Sequence, residues 1–185
     1  MFYKLLWVLR AILSKPFFGS LGLISYIGKP IYLHNVKNVF IGSRVRIFPG
    51  ARIETHQEGR IEISDDVSIG QNFHIISAES VLKVGKGTVI SANVMVTNVD
   101  HEYTNIDLPI YKQNLLYSKT ELGENCFVGI GAKIQAGTVL GKHCVVGANS
   151  VVRGHFNDYS VIVGSPARVI KKYDLITKEW KLTKN

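Results

Sequence analysis

His101 sits in the tetrapeptide DHEY, between Asp100 and Glu102, near the start of a non-repetitive stretch covering residues 97–121. Imidazole is the side chain that titrates near neutrality. It is therefore the group best suited to take the proton of a weakly acidic hydroxyl as that hydroxyl attacks, an effect typically worth about 10²–10⁴ in rate. A second polar group, QNFH at 71–74, offers Asn72 and His74; Asn in a turn commonly satisfies its own backbone, and His74 follows it closely. The third is GSPARVIKK, 164–172, whose Arg168 and Lys171 suit an anionic ligand. His34 and His56 fall outside the regular pattern or in an insertion, and His143 and His155 at exposed turn positions. Cys126 and Cys144 have no metal-ligand spacing and read as reduced structural thiols.

These groups must be held by something regular, and the sequence is regular in steps of six. Ile41, Ile47 and Ile53 are in phase; Ile63, Ile69 and Ile75 resume after an insertion at 55–60. A three-residue slip precedes Val84, Ile90 and Val96. After the excursion, Leu122, Val128, Ile134, Leu140, Val146 and Val152 follow without a break. A second column lies four residues after twelve of the fifteen anchors and is mostly small: Val45, Ala51, Val67, Phe73, Thr88, Val94, Cys126, Ala132, Thr138, Cys144, Ser150 and Phe156. A helix would show a period of 3.6 and a half-buried strand a period of two. A period of six fits short strands with an inward aliphatic anchor, a tight corner and Gly where turns forbid a Cβ. Three units close an eighteen-residue coil, and coils stack at about 4.8 Å through parallel ladders. Cys126 and Cys144, eighteen apart, should be stacked neighbours in the core.

Composition agrees with an all-β chain. At 185 residues, 46% hydrophobic and 19% charged, with 17 glycines, the sequence is one domain with a real core and is not disordered. The net charge of +8 points to an anionic partner. No basic run with interleaved aromatics occurs, so nucleic acid is disfavoured. The absence of a disulfide framework suits the cytoplasm. Near the N-terminus, Phe2, Leu5, Leu6, Leu9, Ile12 and Leu13 share one helical face. The segment is too short and too charged to span a bilayer, and it lacks a signal-peptide cleavage site. Two readings stay open: a helix that caps the core, or one that lies on the inner membrane face as a peripheral contact. The expected organisation is an N-terminal segment at 1–34, a repeat domain at 35–172 with its extended loop at 97–121, and a tail at 173–185.

Residues 35–172 resemble the hexapeptide-repeat acyltransferases, whose solenoids are left-handed parallel β-helices; the handedness comes from the resemblance, since parallel crossovers are generally right-handed. The stretch from Phe127 to GSPARVIKK closely resembles the CoA-binding end of sugar O-acetyltransferases such as the galactoside and maltose enzymes. What the resemblance implies is specific. His101, near the base of the extended loop, would be the catalytic base. Asn72, with His74, Asp100 and Glu102 nearby, would contact the acceptor. Gly129, Ile130, Ala148 and Arg153 would line the acetyl-CoA groove, Pro166 would pack near the adenine, and Arg168 and Lys171 would face phosphate. Backbone N–H groups near Gly129 would stabilise the oxyanion. The site would form between subunits of a homotrimer, with no metal. Phe127 stands where many relatives carry Trp, and Arg153 where several carry Thr.

The implied reaction is direct acetyl transfer to a sugar hydroxyl, free or lipid-linked, in capsule, lipopolysaccharide or exopolysaccharide synthesis. An amino-sugar N-acetyltransferase is the near alternative, because the same base serves an amine. A γ-class carbonic anhydrase would need more histidines around His101 than the chain has. Serine acetyltransferase would need a further helical N-terminal domain. A non-catalytic scaffold would explain the repeat but neither the loop histidine nor the GSPARVIKK ending.

Overall fold

The computed structural model describes residues 2–183. Its strands form a parallel solenoid of about six turns. Coils run through residues 20–34, 39–56, 60–78, 81–97, 121–134 and 139–152, followed by a partial turn at 155–164. Each coil gives one short strand to each of three sheets. The sixfold anchors stack in register. On the first sheet Ile41, Ile63, Val84, Leu122 and Leu140 are successive partners. On the second the column is Ile47, Ile69, Ile90, Val128 and Val146. On the third it is Ile53, Ile75, Val96, Ile134 and Val152. All these anchors are buried in one continuous core. Phe73 is fully buried as well, so the second column accepts an aromatic where the coil is wide enough. Cys126 and Cys144 are stacked and buried as expected; their thiols donate to the carbonyls of Gly141 and Asn157 at 3.2 and 3.3 Å.

The solenoid starts earlier than residue 35. Strands Ser20–Leu21, Tyr26–Ile27 and Tyr32–His34 add a coil below the first expected one, pairing with Phe40–Ile41, Arg46–Ile47 and Arg52–Glu54. Below it lies a helix, Phe2–Ser14. It covers the open end of the core, but with the face opposite to the aliphatic one. Ala11 is buried, Val8 is half-buried, and Trp7 packs on Tyr26 and Phe48 at ring distances of 5.7 and 5.6 Å. Leu5, Leu6, Leu9, Ile12 and Leu13 point to solvent. Pro16 stands in the 3-10 turn Lys15–Phe17 that follows the helix, where its missing N–H and fixed φ stop α-helix from continuing. No described helix is long and apolar enough to cross a membrane.

At the upper end the chain reverses. Ser160–Gly164 pairs antiparallel with Ala167–Asp174, and Glu179–Leu182 returns along that strand. Part of the expected tail is thus an ordered strand, held by Trp180 on Tyr173 and Tyr173 on Tyr159.

Candidate active site

The expected site residues fall on two edges of the third sheet. One edge is the corner that leads into it. There, the N–H of each coil's left-handed residue donates to the coil below: Asn72 to Pro49, Asn93 to Gln71, Gly131 to Ala92, and Asn149 to Ile130. Ile130 and Ala148 therefore project from equivalent corner positions, and both are exposed. Gly129 lets successive corners stack closely, since a Cβ there would meet the Ala148 nitrogen at 2.6 Å. The 164–167 hairpin continues this edge upward, its Gly164 N–H donating to Ser150 Oγ at 3.1 Å. Pro166, Arg168 and Lys171 follow, all exposed. Among the described residues neither Arg168 nor Lys171 has an ion-pair partner. A line of small or aliphatic corners ending at two free cations fits a pantetheine arm followed by phosphates.

Lower on the same edge, Asn72, His74, Asn93, Val94, Met95 and Lys133 line an open depression of about 320 Å³. Asn72 has the left-handed conformation (φ 55°), and its amide donates to Asn93 Oδ1 at 3.1 Å. Its residue type is thus explained by the corner as well as by any ligand. His74 is half-buried because its Nε2 donates to Glu54 at 3.3 Å. Glu54 also accepts from Arg52 and from His56 Nε2. Burial pushes the Glu54 pKa up; donation from Arg52, His56 and His74 outweighs it and holds the carboxyl below its ordinary value. His56 in turn stacks on His34 at 4.8 Å. These two histidines belong to the third sheet and lie within the regular repeat. The cluster was not singled out from sequence. The signal available was the period-two alternation of Arg52, Glu54 and His56, which sends all three outward.

The other edge is where the chain leaves the third sheet. Asn98 anchors the departure: its buried side chain accepts from Ala78 N–H and donates to Ala78 O, Ser77 Oγ and Ser80 Oγ at 2.9–3.2 Å. Val99–His101 then pairs antiparallel with Leu115–Tyr117, and Tyr117 Oη donates to Gln57. His101 is exposed on this ribbon. Asp100 accepts from the His101 N–H at 2.9 Å through one oxygen and from Arg153 Nη1 at 3.3 Å through the other. Glu102 instead accepts from Thr104 Oγ1 and Asn114 within the loop.

The structure thus joins His101, Asp100 and Arg153 on one edge, and Asn72, His74, Gly129, Ile130, Ala148 and Pro166 on the other. Within one chain Arg153 braces the base of the loop through Asp100 and stands across the sheet from Ile130 and Ala148. The N–H of Gly129 itself donates to Val146 O at 2.8 Å and serves the coil ladder. The neighbouring Cys144 thiol and burial hold the Cys126 thiol well above the usual range, so it is no nucleophile. Among the described residues no group of three or more His, Cys, Asp or Glu is placed to hold a metal ion.

A solenoid of sixfold coils, an excursion carrying one exposed histidine and a small-residue edge that ends in cations define a hexapeptide-repeat transferase. Residues 119–154 match the family model described as bacterial transferase hexapeptide (six repeats). The chain is 32% identical to the lipopolysaccharide biosynthesis O-acetyl transferase WbbJ of Escherichia coli (strain K12), over 92% of this chain and 88% of that one. It is 23% identical to the galactoside O-acetyltransferase of the same organism, over 88% and 68%. AntD of Bacillus cereus, an N-acyltransferase solved with dTDP-4-amino-4,6-dideoxyglucose and coenzyme A, superposes with a TM-score of 0.76 over 88% of both chains, at 22% identity. The chain belongs to the hexapeptide-repeat acetyltransferase family.

Proposed function

We propose that this protein moves the acetyl group of acetyl-CoA to a sugar hydroxyl of a capsule, lipopolysaccharide or exopolysaccharide intermediate. The observation that carries the reading is the division of the site between two edges of one sheet. His101 projects beyond the ends of the strands whose beginnings carry the acceptor depression and the cofactor edge. Within one chain the two halves stand at least roughly 10 Å apart, at about 3.3 Å per strand residue. A homotrimer that sets the loop edge of one subunit against the corner edge of the next closes the gap. Exposed Tyr103, Ile106, Ile110 and Tyr111 on the excursion supply apolar surface for that contact.

In this arrangement the thioester supplies an activated acyl carbon. His101 takes the acceptor hydroxyl proton as the oxygen forms its bond to that carbon, and returns the proton to the departing sulfur as the C–S bond breaks. Asp100, fixed by Arg153, bonds the backbone of His101 and sets where the ring projects. Asn72 and His74 orient the sugar. Gly129 keeps the acyl arm close to the coil backbone, and Arg168 and Lys171 neutralise phosphate. The WbbJ relationship supports an O-linked acceptor. A second relative supports an amine: a dTDP-4-amino-4,6-dideoxy-D-glucose acyltransferase of Escherichia coli is 26% identical over 86% of this chain.

His101→Ala should lower CoA release in the presence of the true acceptor by about 10²–10⁴, with acetyl-CoA binding retained. Unchanged turnover overturns the assignment of the base. Product hydrolysis by mild alkali separates an ester from an amide.

A further inference from the structure

We infer that the lower end of the solenoid docks on an anionic phospholipid surface. This goes beyond the acetyl-transfer reading and does not depend on it. The first observation is charge. Residues 1–53 hold eight of the 22 Lys and Arg and none of the 14 Asp and Glu; with Glu54 counted, the helix and the first two coils carry +7 of the chain's net +8. Higher in this segment Arg44 pairs with Asp66 and Arg52 with Glu54. Lys15, Lys29 and Lys37, nearest the lower end, are exposed and have no ion pair among the described residues.

The second observation is the corner between the first and second sheets. Its inter-coil hydrogen bonds define equivalent positions in every coil: Arg44 N–H donates to Leu23, Asp66 to Ser43, Gly87 to Asp65, Asn125 to Lys86, His143 to Glu124 and Tyr159 to Lys142. Above the first coil these tips are charged, polar or glycine, with Tyr159 at the top. In the first coil the tip is Leu23–Ile24, 72% and 81% exposed. Ile24 also has φ 59°, a left-handed conformation that penalises a β-branched side chain. The same left-handed turn recurs at Arg44, Asp66, Asn125, His143 and Tyr159, so the coil dictates it, and what sets the first coil apart is an aliphatic pair at a solvent-facing tip. It stands beside the exposed aliphatic face of the helix. Between them is an apolar crevice of about 190 Å³, with Lys15 among its lining residues.

Apolar side chains that enter the acyl boundary, with lysines beside them at headgroup level, form the signature of an interfacial anchor. A second copy docked symmetrically on this end would bring like-charged lysines together, so an anionic bilayer is the complementary occupant.

The test uses the full-length protein and sedimentation with vesicles. Binding is expected to phosphatidylcholine mixed with phosphatidylglycerol, and at least tenfold weaker binding to phosphatidylcholine alone. Replacing Lys15, Lys29 and Lys37 by Gln should weaken it on the order of a hundredfold, at roughly fivefold per lysine. Ile24→Asn should weaken it roughly tenfold while keeping the melting temperature, since Asn suits the left-handed corner. Absence of wild-type binding overturns the proposal, as does binding that neither variant alters. An Ile24→Asn protein whose particle mass falls, with no vesicle binding by the wild type, would assign the face to a second copy and equally overturn it. Acetyl-CoA binding, followed in parallel, should be unchanged in every variant, which separates this outcome from failure of the transferase reading.

Discussion

Glu54 points outward from the third sheet, yet only 5% of it reaches solvent, because Arg52, His56 and His74 close over it. Its folded-state pKa lies below the ordinary glutamate value, so its contribution to stability is complete above that value and is lost as pH falls through the folded one. Glu54→Gln should therefore cost about 1–2 kcal/mol at pH 7. The difference should shrink once pH falls below roughly 4.3, where the wild type loses the same charge. Urea unfolding of both proteins across that range checks this, and a gap independent of pH would show that the charge plays no part. At this scale the sequence was legible unevenly. His101, Arg168 and Lys171 could be singled out because they stand where the repeat is interrupted or ends, and Ile130 and Ala148 only through the family resemblance. Glu54 and Asn98 could not: His74 closes over Glu54, and residues 77–80 surround Asn98, from about twenty residues away, brought alongside only by stacking of the coils.

The coil is the element that converts sequence spacing into position, and its tolerance is set by backbone against backbone. A Cβ on Gly123 would lie 2.5 Å from Gly141 O, whereas one on Gly154 would meet nothing within 4 Å but must adopt φ 113°. Gly123→Ala should cost about 1–3 kcal/mol through crowding that no rotamer relieves. Gly154→Ala should cost a similar 1–2 kcal/mol through conformational strain alone. Gly154→Asn, suited to positive φ, should recover part of that loss, whereas Gly123→Asn should not, and thermal melts of the four variants decide it. The sixfold anchors made the upper coils readable. The lowest was missed although Leu21, Ile27 and Leu33 also step by six, because eight residues separate Leu33 from Ile41 and Leu23 and Ile24 blur the alternation. The helix shows a related limit. Its aliphatic stripe predicts a buried face only if the core is the nearest apolar phase, and here Trp7, Val8 and Ala11 serve the core.

At the scale of the whole molecule, the two half-sites belong to different edges, and no rearrangement within a solenoid of stacked ladders can bring them together. In the proposed homotrimer closure comes from another subunit, and threefold symmetry repeats the same loop-to-corner contact three times. If the lower end rests on a bilayer, the Asn72 depression stands two coils, about 10 Å, above the lowest coil, and the helix beneath that coil adds about 10 Å more, a height that a lipid-linked saccharide chain can span. Subunit mixing tests the assembly directly. His101→Ala spoils the loop edge of a chain and leaves its corner edge intact; Ala148→Trp fills the corner edge at an exposed position and leaves the loop intact. Each variant alone should be inactive. When equal amounts are unfolded and reassembled together, a site is competent wherever the loop of an Ala148→Trp chain meets the corner of a His101→Ala chain, which random assembly into rings gives for about one interface in four. Recovery of roughly a quarter of wild-type CoA release is therefore expected, with mixed trimers seen by native mass measurement. A site completed within one chain would recover nothing at any mixing ratio, because every chain in the mixture would carry one defective half.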